Sequence, residues 1–307
     1  MVASDDIRLS ETPAAARPRI QRIEAIVNAA SGSVGPGAAE ALAQVIAAHG
    51  YACNLATPAP AELSAAIASA VDAAPDLLVI LGGDGTARVA AERCGPDGPL
   101  LAALPGGTLN MLPHVLYGVR PWREALELAL GEGIERSICG GRIEGRSFYV
   151  AAVLGAPALW GAAREAVRAG KIRRAWRRGL YALRRSFTGR IRYKLDGMPQ
   201  RDAEALVLIS PIVSKLMSAA PSLEVVELDV HNATEMFRLA FHGLVGDWRR
   251  DPGVTVYAAS HGRAWARRSI PCILDGEVQR LGRGARFEFE PRAFRALALA
   301  GAGGPVL

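Results

Sequence analysis

The chain has little of what marks secreted, metal-binding or membrane-spanning proteins. Its four cysteines lie far apart without a C-x-x-C pair, and its five histidines show no ligand spacing. We therefore expect reduced thiols, and neither a disulfide framework nor a zinc site. The chain contains no run of about 18 apolar residues, so that we expect no helix that spans a bilayer. The polar stretch 1–19 lacks the basic-then-apolar pattern of a secretion signal, so the sequence predicts a cytoplasmic protein.

Two common nucleotide-binding patterns are also absent. The chain contains neither G-x-G-x-x-G nor G-x-x-x-x-G-K-[ST], which removes the main support for a dinucleotide dehydrogenase or a P-loop protein. What remains is a folded, basic protein, with 50% hydrophobic residues, 21% charged residues and a net charge of +6. This charge suits nucleic acid, an anionic lipid or a polyphosphate substrate equally well.

The pattern of secondary structure changes near Glu127–Ile134. In the first half, short apolar runs alternate with helical stretches, which predicts a parallel sheet covered on both faces by helices. Its predicted strands are 22–27, 51–57, 76–81 and 100–104, and its predicted helices are 38–49, 61–72, 86–93 and 108–117. In the second half, strands follow strands, which predicts an antiparallel sheet or sandwich. We therefore expect an α/β domain of residues 20–133 and a β-rich domain of residues 134–285.

The strongest functional pattern is a glycine-rich loop between a predicted strand and a predicted helix. It reads Gly82-Gly83-Asp84-Gly85-Thr86 and stands at the carboxyl edge of the predicted sheet, where such folds bind ligands. Its glycines allow a sharp turn, and its N–H groups together with the helix start predict an anion site. Asp84 fits such a site if a cation lies between it and the anion. The alternative is a tight turn in which Asp84 caps a helix.

Two further loops follow neighbouring predicted strands. Gly106-Gly107-Thr108 and Asn110 come after the strand 100–104, and Asn28-Ala29-Ala30-Ser31-Gly32 comes after the strand 22–27. Each offers short polar side chains and a flexible backbone, although either one alone is also typical of a capped turn. Because the carboxyl ends of parallel strands share one edge, we expect all three loops to lie side by side.

A carboxylate pair occurs late in the strand-rich half, in Asp275-Gly276-Glu277. One carboxylate of such a pair can take a proton from an attacking hydroxyl while the other orients it or helps to bind a metal. The alternative is a plain hairpin turn, because Asp196-Gly197 shows that this chain uses Asp-Gly in turns.

A long basic helix is predicted from about 160 to 187. Apolar residues recur on one face, and the remainder carries a dense set of cations between Arg164 and Arg185. We weigh two interpretations: a core-packed helix with an arginine-rich solvated face, or a contact with anionic lipid headgroups. Nucleic acid is not an expected partner, because interleaved aromatic residues and a recognised motif are lacking.

Taken together, these segments resemble the diacylglycerol kinase catalytic family, which includes sphingosine and ceramide kinases and bacterial lipid kinases. The resemblance spans about residues 22–300 and implies ATP-dependent phosphorylation of a lipid hydroxyl in a cleft between the two domains. It also implies that residues 286–307 return to the first domain, that Asp275 or Glu277 is the general base, and that Mg²⁺ is bound with Asp84 as a ligand. The ATP contacts that it implies are Asn28, Ser31, Gly32, Thr57, Gly82, Gly83, Asp84, Gly85, Thr86, Gly106, Gly107, Thr108 and Asn110.

Two other functions stay open on the sequence. A soluble-substrate kinase of the NAD kinase type shares the G-G-D-G-T loop, although the late Asp-Gly-Glu element favours a lipid kinase. A non-catalytic nucleotide- or lipid-binding protein is the second alternative, because Val89, Met111 and His114 depart from the usual family pattern. The sequence does not indicate which lipid is used or how many chains assemble.

Overall fold

A computed structural model describes residues 17–155, 190–214, 222–229 and 254–300 of the chain. The basic helix predicted at 160–187 lies outside these residues, as do both chain ends. Among the described residues, no helix combines the length and apolar character needed to cross a bilayer.

The first half consists of four strands that alternate with helices. All four strands run parallel, in the order β2-β1-β3-β4. Every residue of β3 and β4 is buried, which fits their uninterrupted apolar sequences and the helices on the sheet. The elements are β1 (Ile23–Val27), α1 (Ala38–Ala48), β2 (Cys53–Ala56), α2 (Leu63–Asp72), β3 (Leu77–Gly82), α3 (Asp84–Cys94), β4 (Leu100–Pro105), α4 (Met111–Tyr117) and α5 (Trp122–Glu132).

The described part of the second half is built of strands. Except where the last strand meets β4, their pairings are antiparallel. The elements are β5 (Ile134–Ile143), β6 (Arg146–Phe148), β7 (Ala151–Gly155), β8 (Ile191–Leu195), β9 (Arg201–Ala203), β10 (Ala205–Ile209), β11 (Leu223–Leu228), β12 (Val254–Ala259), β13 (His261–Trp265), β14 (Pro271–Leu274), β15 (Glu277–Arg280) and β16 (Gly284–Ala298).

These strands form two sheets that enclose a second hydrophobic core. One sheet has the order β12-β11-β10-β7-β14-β15, and the other continues the parallel sheet through β16, β13, β8 and β9. Leu206 and Cys272 of the first sheet share one buried cluster with Tyr193 and Phe287 of the second. The predicted fold class, an α/β domain with a parallel sheet followed by an antiparallel β-rich domain, is confirmed.

Strand β16 joins the two halves. Its first part pairs with β13, residues Phe287–Glu290 and Phe294–Ala298 pair with β5, and Ala296 pairs in parallel with Leu101 of β4. The domain limits 20–133, 134–285 and 286–307 stay a prediction, because β5 and β16 place both halves in one continuous ten-stranded sheet.

We expect Phe294→Ala to lower the free energy of unfolding by about 3–5 kcal/mol, because it removes a buried aromatic ring from the joining strand. Phe294 is fully buried and packs edge-on against Tyr149, with ring centroids 4.9 Å apart. The measurement is denaturant-induced unfolding. Val119→Ala is the control, because Val119 is 81% exposed and its truncation should change stability by less than about 0.5 kcal/mol. Equal effects of the two substitutions would contradict this account of the core.

Candidate active site

The three predicted loops meet at the carboxyl edge of the parallel sheet and form one wall of a cleft of about 530 Å³. The opposite side is supplied by the turn between β14 and β15, which belongs to the strand-rich half. The cleft is lined by Asn28, Ala30, Ser31, Gly32, Pro60, Leu63, Ser64, Ile67, Gly83, Asp84, Gly85, Thr86, Arg88, Val89, Gly107, Thr108, Leu109, Gly276 and Glu277.

Short polar side chains tie the loop after β1 to the glycine-rich loop after β3. The Ser31 hydroxyl oxygen accepts a hydrogen bond from the Gly83 N–H at 3.0 Å. The Asn28 side-chain amide donates to the Thr86 hydroxyl oxygen at 3.0 Å. These bonds explain why the first loop carries Asn and Ser, and they hold the backbone of the glycine-rich loop in one conformation.

Backbone contacts tie the glycine-rich loop to the loop after β4. The Gly106 N–H donates to the Gly82 carbonyl at 2.8 Å. A Cβ atom on Gly107 would lie 2.7 Å from the Gly83 Cα, a distance that no real Cβ contact tolerates. Glycine is therefore required at Gly107 because two backbones approach each other there.

The Asp84 carboxylate connects the same two loops. It accepts hydrogen bonds from the Asn110 N–H at 2.9 Å and from the Met111 N–H at 2.6 Å. Asp84 thus caps α4 and not its own helix, which differs from the helix cap that was the alternative interpretation of this loop. Burial raises the pKa of the Asp84 carboxyl, whereas the two N–H donors act in the opposite direction.

Asn110 explains how α4 begins against this carboxylate. Its backbone is left-handed, with φ 51° and ψ 42°, a conformation that asparagine adopts more readily than most residues. Its side-chain oxygen accepts from the Gly107 N–H at 2.7 Å, and its side-chain nitrogen donates to the Gly107 carbonyl at 3.1 Å. Asn110 therefore shapes the third loop from behind the wall of the cleft.

Asp275 and Gly276 form the two-residue turn between β14 and β15. Both have positive φ, 44° and 84°, and Leu274 pairs with Glu277, which is the geometry of a type I′ hairpin. The Asp275 side chain is also buried, because the residue is 3% exposed. It accepts N–H groups of Tyr149, Val150 and Ala151 at 2.7, 2.8 and 3.0 Å.

The Asp275 carboxyl has a raised pKa as well as an anchoring role. Burial raises the pKa of Asp275 to about 6, and the three N–H donors oppose this shift. The sequence left two interpretations open for this element, a hairpin turn and a functional carboxylate. The structure shows the hairpin turn, which brings the next residue, Glu277, to the cleft. The functional role of the carboxylates stays a prediction.

Glu277 is the carboxylate of this pair that reaches the cleft. Its side chain lies directly against Gly85, so that a Cβ atom on Gly85 would overlap the Glu277 Oε1 atom. Its Oε2 atom accepts a hydrogen bond from Arg88 at 3.2 Å, and its side chain is 37% exposed. Glycine at Gly85 therefore makes room for an acid from the other half of the chain.

Most of the predicted site residues lie together, in two layers. The residues on the cleft surface are Asn28, Ser31, Gly32, Gly83, Asp84, Gly85, Thr86, Gly107, Thr108 and Glu277. Gly82, Gly106, Asn110 and Asp275 support that surface from behind through the bonds described above. Thr57 follows β2, is exposed, and is not part of the cleft lining among the described residues.

Sequence reasoning missed one wall of the cleft and its cation. Leu63 and Ile67 stand one helical turn apart on α2 and resemble ordinary core residues in the sequence. Arg88 resembles a solvated helix residue, yet it is largely buried and bonds to Glu277 and Glu92. No local pattern could reveal these positions, because each depends on an element distant in sequence.

The donor set of the cleft fits a magnesium ion. No cluster of three or more His, Cys, Asp or Glu side chains occurs among the residues that the structure describes. Asp84 and Glu277 are, however, two carboxylates on one cleft. Mg²⁺ is usually held by one or two carboxylates together with substrate phosphates, so that a larger protein cluster is not required.

The comparisons with known proteins agree with this geometry. Residues 22–140 match the family model of the diacylglycerol kinase catalytic domain, which confirms the resemblance predicted from the motifs. No curated protein matches the chain.

Solved structures show the same fold. A diacylglycerol kinase from Bacillus anthracis strain Sterne has a TM-score of 0.67 at 16% identity, covering 93% of this chain and 100% of its own. A candidate diacylglycerol kinase from the same strain has a TM-score of 0.71 at 18% identity, covering 94% and 98% of the two chains. The likeness at this identity shows a shared fold.

We expect Asp275→Ala to lower the free energy of unfolding by about 3 kcal/mol or more, because three buried N–H groups lose their acceptor. Glu277→Gln is the matched control, because its partly exposed side chain should change stability by less than about 1 kcal/mol. Chemical denaturation of both variants measures the difference. Equal stability of Asp275→Ala and the unmodified protein would contradict the anchoring role.

Proposed function

We propose that this chain, with a diacylglycerol kinase catalytic domain match over residues 22–140, is an ATP-dependent lipid kinase. It transfers the γ-phosphoryl group of ATP to a hydroxyl group of a lipid of the diacylglycerol or sphingoid type. One observation carries the proposal: Glu277, from the strand-rich half, lies against Gly85 at the start of α3 in the glycine-rich loop. The proposed base thus lies directly beside the proposed anion site on one cleft.

The nucleotide is proposed to bind along the three loops. The first N–H groups of α3 have no partner within the helix, and with the helix dipole they favour a phosphate at this point. The hydroxyl groups of Ser31 and Thr108 lie on the same surface. Leu63 and Ile67 of α2 supply an apolar part of the wall that suits a nucleotide base.

Asp84 is the proposed protein ligand of Mg²⁺, which would neutralise phosphate charge when bound. Both oxygens of Asp84 already accept N–H groups, and this leaves further lone pairs for a cation. The N–H donors also hold this carboxylate in a fixed direction, because they come from the rigid start of α4.

Glu277 is the proposed general base. It accepts the proton of the lipid hydroxyl while that oxygen forms a bond to the γ-phosphorus, and the bond from phosphorus to the departing ADP oxygen breaks. Asp275 is a positioning residue, because its two oxygens are occupied by backbone N–H groups and it is not on the cleft surface. The sequence resemblance left the choice between these two acids open, and the burial of Asp275 favours Glu277.

The proposed partner is a membrane lipid, and the proposed place of action is the cytoplasmic face of a membrane. The cations between Arg164 and Arg185 suit an anionic lipid surface, although they lie outside the described residues. No nucleic acid is proposed as a partner.

The decisive experiment combines the purified chain with radiolabelled ATP, Mg²⁺ and a panel of acceptors. The panel contains diacylglycerol, monoacylglycerol, a sphingoid base, phosphatidylglycerol and NAD, and mass spectrometry identifies the product. A phosphorylated lipid supports the proposal. Phosphorylated NAD would indicate a kinase of the NAD kinase type, and ATP binding without any transfer would indicate a non-catalytic binding protein.

In the same assay we expect Glu277→Gln to lower kcat by at least about a hundredfold, because the amide cannot accept the hydroxyl proton. Glu92→Gln is a matched control: Glu92 also contacts Arg88 but is not on the cleft surface, and its loss should have less than about a tenfold effect. A Glu277→Gln variant with near-normal kcat would show that another group acts as the base.

Gly85→Ala tests the contact between the two halves without straining the backbone. Gly85 is helical, so alanine should keep or slightly raise stability, while its methyl group displaces the Glu277 carboxylate. We expect kcat to fall at least about tenfold with an unchanged melting temperature. Gly35→Ala is the control, because no atom lies within 4 Å of the Cβ position there. Full activity of Gly85→Ala would show that the Glu277 position is not required.

A further inference from the structure

Arg88 stands out among the residues of the cleft. It is the one cationic side chain on the wall as the structure describes it, whereas Asp84 and Glu277 contribute two negative charges. A nucleoside triphosphate adds several more negative charges to this wall. In a site for such a ligand, the positive charge of Arg88 would offset part of this negative charge.

The Arg88 guanidinium lies between two carboxylates. One terminal nitrogen donates to Glu92 at 3.0 Å, and the other donates to Glu277 at 3.2 Å. The Arg88 side chain is 16% exposed, and its Nε–H is buried without an acceptor among the described residues. Burial lowers the pKa of Arg88, but the charges of Glu92 and Glu277 outweigh this effect, and the pKa is raised.

The two carboxylates differ in what holds them. Glu92 lies on the same helix as Arg88, and it also accepts the Ser147 N–H at 3.2 Å. Glu277 comes from the other half of the chain, and the bond to Arg88 is the one hydrogen bond that its side chain makes with a described residue. The contact with Glu277 is thus the one that can be exchanged while Glu92 keeps the guanidinium in place.

The direction of the Arg88 side chain suits a ligand at the helix start. Side chains in an α-helix lean toward its N-terminus, so that Arg88 covers the turn that contains Asp84 and Gly85. That turn is the proposed phosphate site. A guanidinium is also suited to phosphate, because its planar fork can bind two oxygens at once.

We propose that Arg88 is a phosphate-binding residue that Glu277 holds ready in the nucleotide-free protein. When a triphosphate enters, Arg88 exchanges the Glu277 carboxylate for oxygens of the terminal phosphate. This inference rests on the proposed function and deepens it, since it assigns the group that recognises the terminal phosphate.

The test is calorimetric binding of ATP, ADP and AMP with excess Mg²⁺, which requires no lipid. Arg88→Gln should weaken ATP binding by about 10- to 100-fold, the loss of one charged hydrogen-bonded contact. ADP and AMP should change less than about threefold, and Arg88→Lys should lie in between because it keeps the charge without the fork. Arg93→Gln is the control, since Arg93 lies exposed in the last turn of the same helix.

The exchange of partners is tested by Glu277→Gln in two backgrounds. Removal of the competing carboxylate should tighten ATP binding several-fold when Arg88 is present. In the Arg88→Gln background the gain in affinity should be smaller by a factor of about three or more. Equal effects in both backgrounds would show that Glu277 only repels the nucleotide, and would overturn the exchange.

The remaining outcomes separate the two proposals. If the unmodified protein binds ATP, and Arg88→Gln weakens ATP, ADP and AMP equally or not at all, Arg88 is a structural clamp and only this inference is wrong. If the unmodified protein binds none of the three nucleotides, the proposed function and this inference both fail.

Discussion

The buried Asp275 carboxylate is the contact on which the rest of the site depends. Asp275 begins a hairpin turn, and its two oxygens accept three N–H groups of the segment Tyr149–Ala151, which would otherwise be buried without partners. A carboxylate in such a place loses the solvation of water and regains part of it from fixed N–H dipoles. The turn therefore has one position relative to the sheet, and Glu277, the next residue but one, has one position relative to α3.

Asp84 makes the same kind of contact at the parallel sheet, because its carboxylate also accepts backbone N–H groups. Its oxygens take the N–H groups at the start of α4, which the helix cannot satisfy itself. The two aspartates thus order backbone, whereas the Glu277 side chain contacts Gly85 and Arg88 on the cleft. This division of roles follows from burial and hydrogen bonding. Residue type alone does not distinguish the three acids.

The contact between Glu277 and Gly85 depends on how the two halves of the chain are joined. Strand β16 brings the strand-rich half back beside β4, and so the β14–β15 turn reaches the edge where the three loops end. Arg88 and Glu92 extend the contact to the Ser147 N–H in the other half. A cleft formed in this way contains backbone donors from one half and a carboxylate from the other, an arrangement that suits the proposed phosphoryl transfer.

The accuracy of the sequence predictions varied with how local each feature is. The apolar runs of β3 and β4 and the glycine-rich loop between strand and helix were predictable within a residue or two. The helix predicted at 108–117 begins only at Met111, because Asn110 adopts a left-handed conformation and the cap comes from Asp84. Helix α5 was not predicted at all, and neither was the contribution of α2 to the cleft.

By itself, the sequence determined the class of fold, the three loops at one sheet edge and the resemblance to a kinase family. These features depend on hydrophobic periodicity, on glycine and on short polar side chains, which act within a few residues of chain. Only the tertiary structure decided that Asp275 is an anchor, that Glu277 faces the cleft, and that Arg88 lies between Glu92 and Glu277. The physical reason is that the burial of a charge and the identity of its partners are set by segments up to 189 residues apart, which no local pattern records.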